Sequence, residues 1–249
     1  MTSAPTGRPR VLALIPGYQE GPRIGAVVAG ARRHLPVLVV DDGSTDDTAS
    51  QAADAGAIVL PQQPNQGKGA ALRAGFRRAL AEGYDGVITL DADGQHDPDE
   101  IPRFLAAFLS GDDGVVAGAS APGAVAAAGP RPELVIGCRD FARMPPVRRL
   151  SNTLGTAAFS WAVGRPIADN QSGYRLVGRR LMAAMLDSRE TGFEFEVEMI
   201  AVCIGRGWSL GWVPVSTIYA GAPSHVQPLH HLRHFVRATR AARRRIRSG

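Results

Sequence analysis

Short aliphatic runs recur along the first half of the chain, each followed by a polar cluster and then by a stretch with helical spacing. Val11–Ile15, Val37–Val40, Ile58–Leu60 and Gly86–Leu90 are too short for helices and apolar on both faces, which predicts buried parallel strands. Between them, Pro22–His34, a segment from Asp46 and Asp47 to Ala55, and Gly69–Glu82 carry helical patterns, and Pro98–Leu109 follows as another helix. Asp46 and Asp47 are expected in the first turn of their helix, and Ser44 to Asp47 has the spacing of a capping box. Such alternation predicts an α/β fold, a mostly parallel sheet flanked by helices and joined by right-handed crossovers. Ligands in this architecture bind beyond the carboxyl ends of the strands. The polar clusters Pro16–Glu20, Asp41–Thr45 and Asp91–His96 all fall there.

The second half is less regular. Residues 117–134, rich in Ala, Gly and Pro, read as a flexible loop inserted between short strands at Gly114–Ala117 and Leu134–Gly137. Ser151–Val163, Arg179–Leu186 and Phe193–Gly205 have helical patterns, and Asp169–Arg175 reads as a polar loop. Leu210–Ile218 is expected to be an antiparallel or edge strand, interrupted by Pro214. Residues 1–225 thus read as one domain, and residues 226–249 as a basic amphipathic C-terminal helix.

Charge bears on partners. Much of the net charge of +5 sits near the C-terminus, where Arg233, Arg237, Arg240, Arg243, Arg244, Arg245 and Arg247 interleave with Leu232, Phe235, Val236 and Ile246. Such a helix can bind an anionic membrane surface, or its cations can simply favour a solvated helix end. Nucleic acid is not an expected partner, because no aromatic platform accompanies the charge. Cys138 and Cys203 lie far apart with no CxxC pair, which points to a reducing compartment, buried inert thiols and no structural zinc. No secretory signal or membrane-spanning stretch is evident, so the expected location is cytoplasmic, peripheral to the inner face of the membrane.

The chemistry-bearing residues cluster at the strand ends. Asp91 and Asp93 flank Ala92 after a strand, and on an extended segment both carboxylates would face one way, with Gln95 continuing that face. Oxygen ligands of this kind suit Mg²⁺ or Mn²⁺ completed by a substrate diphosphate; the alternative is a turn whose carboxylates cap a helix. A carboxylate of the Asp41-Asp42 pair, which also follows a strand, can accept hydrogen bonds from a base or a ribose, or cap the next helix. The Asn65–Gly69 run is not a P-loop, since no Ser or Thr follows Lys68, but its glycines would present Lys68 or backbone N–H groups to an anion. On the helix at Phe193–Gly205, Glu194 and Glu198 would share a face while Glu196 points away, at least one of them solvated. His230, His231 and His234 have metal-like spacing, with a surface role the simpler reading.

In order along the chain, IPGYQE (15–20), VVDDGSTDDT (39–48), NQGKGAALRAGF (65–76), LDADGQHDPDEIP (90–102), VIGCR (135–139), DNQSGYR (169–175), FEFEVEMI (193–200) and IYAGAPSH (218–225) resemble the family-2 glycosyltransferases of the GT-A (Rossmann-like) fold. Within them, the set is similar to the dolichyl- or polyprenyl-phosphate hexosyltransferases. The resemblance implies that Pro16, Tyr18 and Glu20 line a nucleoside pocket and that Val40 and Asp42 contact base or ribose. Asp91, Ala92 and Asp93 would hold the sugar nucleotide, and Asp93 with Gln95 the metal. Arg139 would meet a phosphate of donor or acceptor, Arg148 or Arg149 and Ser151 the lipid phosphate, and His225 the diphosphate. The 117–134 insert departs from the family pattern and would reshape the acceptor side.

The implied reaction is an inverting, metal-dependent hexose transfer from a GDP- or UDP-sugar to a polyprenyl phosphate, with a membrane protein as an additional partner. A lipid phosphate is already anionic and needs no base. A hydroxyl acceptor would need one, for which Asp169 is the best-placed carboxylate, although it can equally cap the loop before Ser172-Gly173. The remaining readings are a transferase acting on a saccharide hydroxyl and a non-catalytic nucleotide-sugar-binding module. A sugar nucleotidyltransferase would carry a glycine-rich loop that PGYQE lacks.

Overall fold

A computed structural model describes residues 8–110, 131–144, 146–216, 218 and 243. The expected strand at Gly114–Ala117, most of the 117–134 insert, His225, His230, His231, His234 and the C-terminal helix apart from Arg243 lie outside these residues.

The described chain runs β1 (Val11–Gly17), α1 (Gly21–Arg32), β2 (Val37–Asp41), α2 (Thr48–Asp54), β3 (Ile58–Pro61), α3 (Lys68–Ala81) and β4 (Gly86–Thr89). It continues through α4 (Ile101–Ser110), β5 (Leu134–Arg139), α5 (Pro146–Val163), β6 (Arg175–Gly178), α6 (Arg179–Met185), α7 (Glu194–Gly205) and β7 (Leu210–Val215). These strands form one sheet in the order β3-β2-β1-β4-β6-β5-β7. It is mostly parallel, as expected: β1 pairs in parallel with β2 and β4, β2 with β3, and β5 with β7. Only β6 runs against its neighbours β4 and β5.

The period of two in β1 divides the core. Leu12 and Leu14 face a cluster that includes Leu72 and Phe76 of α3, Phe159 of α5 and Phe195 of α7. Val11, Ala13 and Ile15 face the other cluster, with Ile24 of α1 and Phe104 and Phe108 of α4. Gly75 lets α3 lie close on the sheet, because a Cβ there would come within 2.4 Å of the Leu14 side chain. Helices thus cover both faces and leave the carboxyl ends of β1, β2 and β4 together at one edge. Among the described residues, no helix is long and apolar enough to cross a membrane.

Several local expectations change. α2 begins at Thr48, so Asp46 and Asp47 precede it, and the Asp46 carboxylate accepts from the Thr48 N–H and hydroxyl. No capping box forms, because the Ser44 N–H donates to Asp41 and its hydroxyl accepts from the Gln19 N–H. The Pro98 segment starts as a short 3₁₀ turn capped by Asp97 before α4 begins. α5 starts earlier than expected, at Pro146. β6 is unexpected: it starts on the last residue of the predicted loop and ends just before the predicted helix at Arg179; four residues carry no detectable period, and its pairing with β4 and β5 makes it a strand. β7 is an edge strand, which tolerates Pro214, but it runs parallel to β5 and not antiparallel. Cys203 is buried, whereas Cys138 is only half-buried, with burial pushing its thiol pKa up.

Candidate functional site

The edge where β1, β2 and β4 end holds a cleft with a volume of about 320 Å³, running from Tyr18 and Glu20 past Asp42 and Lys68 to Asp91 and Asp93. Its walls are built by hydrogen bonds between loops. Gln19 takes a left-handed conformation (φ 57°), and its side-chain oxygen accepts from the N–H groups of Thr45 and Asp46 at 3.0 and 3.2 Å. This ties the loop after β1 to the loop after β2 and leaves Tyr18 exposed at the mouth.

Asp42 stands at the base of the loop preceding α3. Its Oδ1 accepts from the Gln66 N–H and from Gln62 Nε2, both at 2.9 Å, and its Oδ2 from the Gly67 N–H at 2.7 Å. The anion met by this loop's backbone is therefore Asp42 itself. Gly67 (φ 93°) makes the turn, and a Cβ there would lie 2.5 Å from the Thr191 carbonyl oxygen.

Lys68 follows directly. Its Nζ lies 2.5 Å from Asp91 Oδ1 and 3.1 Å from Glu196 Oε1. Burial opposes its charge, but the Asp91 and Glu196 carboxylates outweigh it and hold the pKa above the usual lysine range. Burial likewise opposes ionisation of Asp91, yet Lys68 and His96 bring its pKa down to about 2. His96 is stacked on Tyr174 and its Nδ1 accepts from the Asp91 N–H at 3.0 Å, which places the ring proton of the neutral form on Nε2. Burial is the main cause of its lowered pKa.

Asp91 and Asp93 do not share an extended segment. β4 ends at Thr89, Ala92 and Asp93 form a turn, and Gly94 continues it at φ 77°. The turn brings Gln95 against Asp93: Oδ1 accepts from the Gln95 N–H at 3.0 Å and Oδ2 from its side-chain amide at 2.6 Å. Helix capping here falls to Asp97 instead. No group of three or more His, Cys, Asp or Glu side chains among the described residues could hold a metal. With Asp91 paired to Lys68, the donor set fits a cation bound mainly through Asp93, with a substrate diphosphate completing its coordination.

Behind Asp91 lies the loop that begins at Asp169. Asp169 is fully buried; its carboxylate accepts from Arg139 Nε at 2.6 Å, Arg139 Nη2 at 2.9 Å and the N–H groups of Gln171 and Ser172. It is thus a loop cap and an arginine partner at once. Arg175, also fully buried, donates to the carbonyl oxygens of Ser172, Asn170 and Glu196, fastening the loop to α7. A Cβ on Gly173 would come within 2.8 Å of Asp91 Oδ2 and 3.0 Å of Lys68 Nζ, so glycine allows the loop to close on that pair.

Of the residues expected at the site, Pro16, Tyr18, Glu20, Asp42, Lys68, Asp91, Ala92 and Asp93 line the cleft. Val40 does not: its side chain is fully buried in the core of β2, so no contact of that side chain with a base or ribose is available. Arg139 stands at the end of β5 beside Asp169, while Arg149 and Ser151 are exposed on α5 and are not among the cleft-lining residues. The Arg148 side chain and His225 are outside the described residues. Phe193 lines the cleft unforeseen, its ring 5.2 Å from Lys68 Nζ. Of the helix glutamates, Glu196 turns inward, while Glu194 and Glu198 stay partly exposed. A carboxylate set among the buried apolar residues of α7 was the available signal, since it needs a cation such as Lys68.

Comparison with known proteins agrees with this architecture. The profile of glycosyl transferase family 2 matches residues 13–168. The undecaprenyl-phosphate mannosyltransferase of Micrococcus luteus is 31% identical over 227 residues, covering 84% of this chain and 84% of that protein. The polyprenol monophosphomannose synthase of Mycolicibacterium smegmatis is 31% identical over 220 residues, covering 83% of this chain and 77% of the other. Among solved structures, glucosyl-3-phosphoglycerate synthase from Mycobacterium tuberculosis, in complex with Mn²⁺, UDP-glucose and phosphoglyceric acid, superposes with a TM-score of 0.68 at 20% identity. That alignment covers 94% of this chain and 80% of the synthase, and it places the two in one GT-A fold. With the family profile spanning more than half of the sequence and relatives of 31% identity matched over more than three quarters of their own length, the chain belongs to glycosyltransferase family 2 and is a glycosyltransferase.

Proposed function

We propose that the protein transfers a hexose, with inversion, from a nucleoside-diphosphate sugar of the GDP-mannose or UDP-glucose type to a polyprenyl phosphate at the cytoplasmic face of a membrane. The observation that carries the acceptor class is the Arg139–Asp169 pair. Both Asp169 oxygens are held by Arg139, and Oδ1 also accepts from two backbone N–H groups. A carboxylate so committed is a poor base for a hydroxyl acceptor, whereas a phosphate arrives ionised and needs none. The relatives' names, which specify undecaprenyl phosphate and polyprenol, support the same class.

In this reading Pro16, Tyr18, Glu20 and Asp42 bind the nucleoside. Lys68 neutralises Asp91, so the donor diphosphate does not meet two uncompensated carboxylates. Asp93 and Gln95 are the residues that would hold Mg²⁺ or Mn²⁺. Such an ion, when bound, offsets the charge that develops on the leaving diphosphate. Arg139 faces the acceptor phosphate, joined by Arg148 or Arg149 and Ser151 as it approaches. His225 is assigned to the diphosphate, and the basic C-terminal helix or a membrane-protein partner to membrane contact.

The test incubates the full chain with radiolabelled GDP-mannose or UDP-glucose, Mn²⁺, and undecaprenyl or dolichyl phosphate in detergent. Label in the organic phase with one donor is the expected result, absent with chelator. Label transferred only to water-soluble saccharides would replace the lipid phosphate with a hydroxyl acceptor. Donor binding without turnover on any acceptor would leave a binding module.

A further inference from the structure

Phe193 puts an aromatic ring into the cleft beside the Lys68–Asp91 ion pair. It is 57% exposed and lines the cleft together with Lys68, Asp91 and Asp93. The ring centroid lies 5.2 Å from Lys68 Nζ, the atom that meets Asp91, which places the ring at the Asp91 end of the cleft. Backbone contacts hold it there. The Thr191 carbonyl oxygen accepts from the Gly69 N–H at 2.7 Å, and Arg73 Nη1 donates to the Ser188 and Glu190 carbonyl oxygens at 2.9 and 3.2 Å. On the other side of Phe193, the Phe195 ring packs on Phe76 with centroids 5.9 Å apart. Gly69, Arg73 and Phe76 all belong to α3, which also carries Lys68. Ring and ammonium are therefore presented by elements fastened to each other on both sides of the ring.

A single exposed aromatic on a convex surface calls for no ligand. This one stands in a concave site among the groups assigned to the donor. The order of those groups decides which part of the donor meets it. With the nucleoside at Tyr18 and Asp42, the diphosphate at Asp93 and the acceptor phosphate at Arg139, the hexose must lie between the last two. Arg139 holds Asp169, and the loop that Asp169 begins reaches the Lys68–Asp91 pair at Gly173, where a Cβ would come within 3.0 Å of Lys68 Nζ. The way from Asp93 to Arg139 thus passes the ion pair beside which Phe193 stands. A hexopyranose suits that place. Its ring C–H groups carry partial positive charge and pack on the negative face of an aromatic ring, while its hydroxyls stay at the rim for polar partners.

We propose that Phe193 is the platform on which the transferred hexose packs, a specificity-determining residue whose ligand is the sugar ring of the donor and neither its base nor the lipid. This assignment rests on the function proposed above, and its test needs no acceptor.

The test is calorimetric titration of the full chain, with Mn²⁺, using GDP-mannose and UDP-glucose and, in parallel, GDP and UDP, which lack the hexose. With the base that the wild-type chain binds, Phe193→Ala should weaken the nucleotide sugar by about tenfold and leave the nucleoside diphosphate within about twofold. Phe193→Tyr, which keeps the flat face, should bind the nucleotide sugar as the wild type does. Phe193→Leu, which keeps only apolar volume, should show most of the loss. Equal weakening of both ligands by Phe193→Ala would overturn the proposal, because the ring would then serve the base, the diphosphate or the scaffold. Unchanged donor affinity would overturn it too, and a raised KM for polyprenyl phosphate in that variant would assign the ring to the lipid. A wild-type chain that binds GDP or UDP but neither nucleotide sugar would remove the hexose donor, and this platform with it. A sugar-selective loss at Phe193 without labelled lipid product would uphold the platform and remove the acceptor reading alone.

Discussion

Lys68 Nζ sits between two carboxylates from distant parts of the chain, 2.5 Å from Asp91 and 3.1 Å from Glu196. One ammonium thereby joins the end of β4, the start of α3 and the first turns of α7 at the floor of the cleft. Removing it would strand Asp91 and the nearly buried Glu196. Lys68→Met is expected to cost about 2–4 kcal/mol in urea denaturation. Adding Glu196→Gln should recover part of that loss, and a double-mutant cycle measures the coupling. Strict additivity would show that the two residues do not interact.

The same triad sets an acid limit. Asp91 titrates at about 2 in the fold, whereas an unfolded aspartate titrates at about 3.9. Its stabilisation is complete above the unfolded value and is lost as pH falls from roughly 4 towards 2, because the unfolded chain takes up the proton first. With Asp91 partly exposed, the contribution is on the order of 1–2 kcal/mol. Denaturation midpoints measured across that window should fall less steeply in Asp91→Asn than in the wild-type chain.

Two glycines separate crowding from backbone strain. A Cβ at Gly173 would press on the Asp91 carboxylate and Lys68 Nζ, whereas one at Gly94 (φ 77°) would meet nothing within 4 Å. Gly173→Ala should weaken donor binding by about tenfold or more and destabilise by roughly 1–3 kcal/mol through overpacking. Gly94→Ala should cost only the left-handed backbone penalty, about 1–2 kcal/mol. Calorimetric donor titration of both variants checks the contrast.

Asp169→Asn tests whether this residue is structural or a base. As the buried partner of Arg139, it should cost about 3–5 kcal/mol of stability. The pH dependence of residual kcat should keep its shape. Unchanged stability together with loss of the acidic limb of the kcat profile would instead make Asp169 a general base.

Chelation should abolish transfer without unfolding the protein. Because the described residues offer no cluster of three metal-ligating side chains, Mn²⁺ alone should leave the melting midpoint almost unmoved. Mn²⁺ with the correct nucleotide sugar should raise it by mass action. A large shift with Mn²⁺ alone would reveal a complete protein-only site.

Local periodicity is enough to read the alternation of strands and helices in the first half, and with it the edge where Tyr18, Asp42 and Asp91 meet. Hydrophobic period is a local property, and strand polarity in a parallel sheet carries each following polar cluster to the same side. What those residues do to one another is set by packing. That Val40 is core, that Asp42 is occupied by the loop after β3, and that Asp169 is held by Arg139 all depend on contacts between distant segments. β6 exists only through its two neighbours, since four residues are too few to show a period. Glu196 was visible as a charge in an apolar helix, but its direction depends on how α7 rotates against α3. The packing of Phe195 near Gly69 and Phe76 sets that rotation, and no local pattern encodes it.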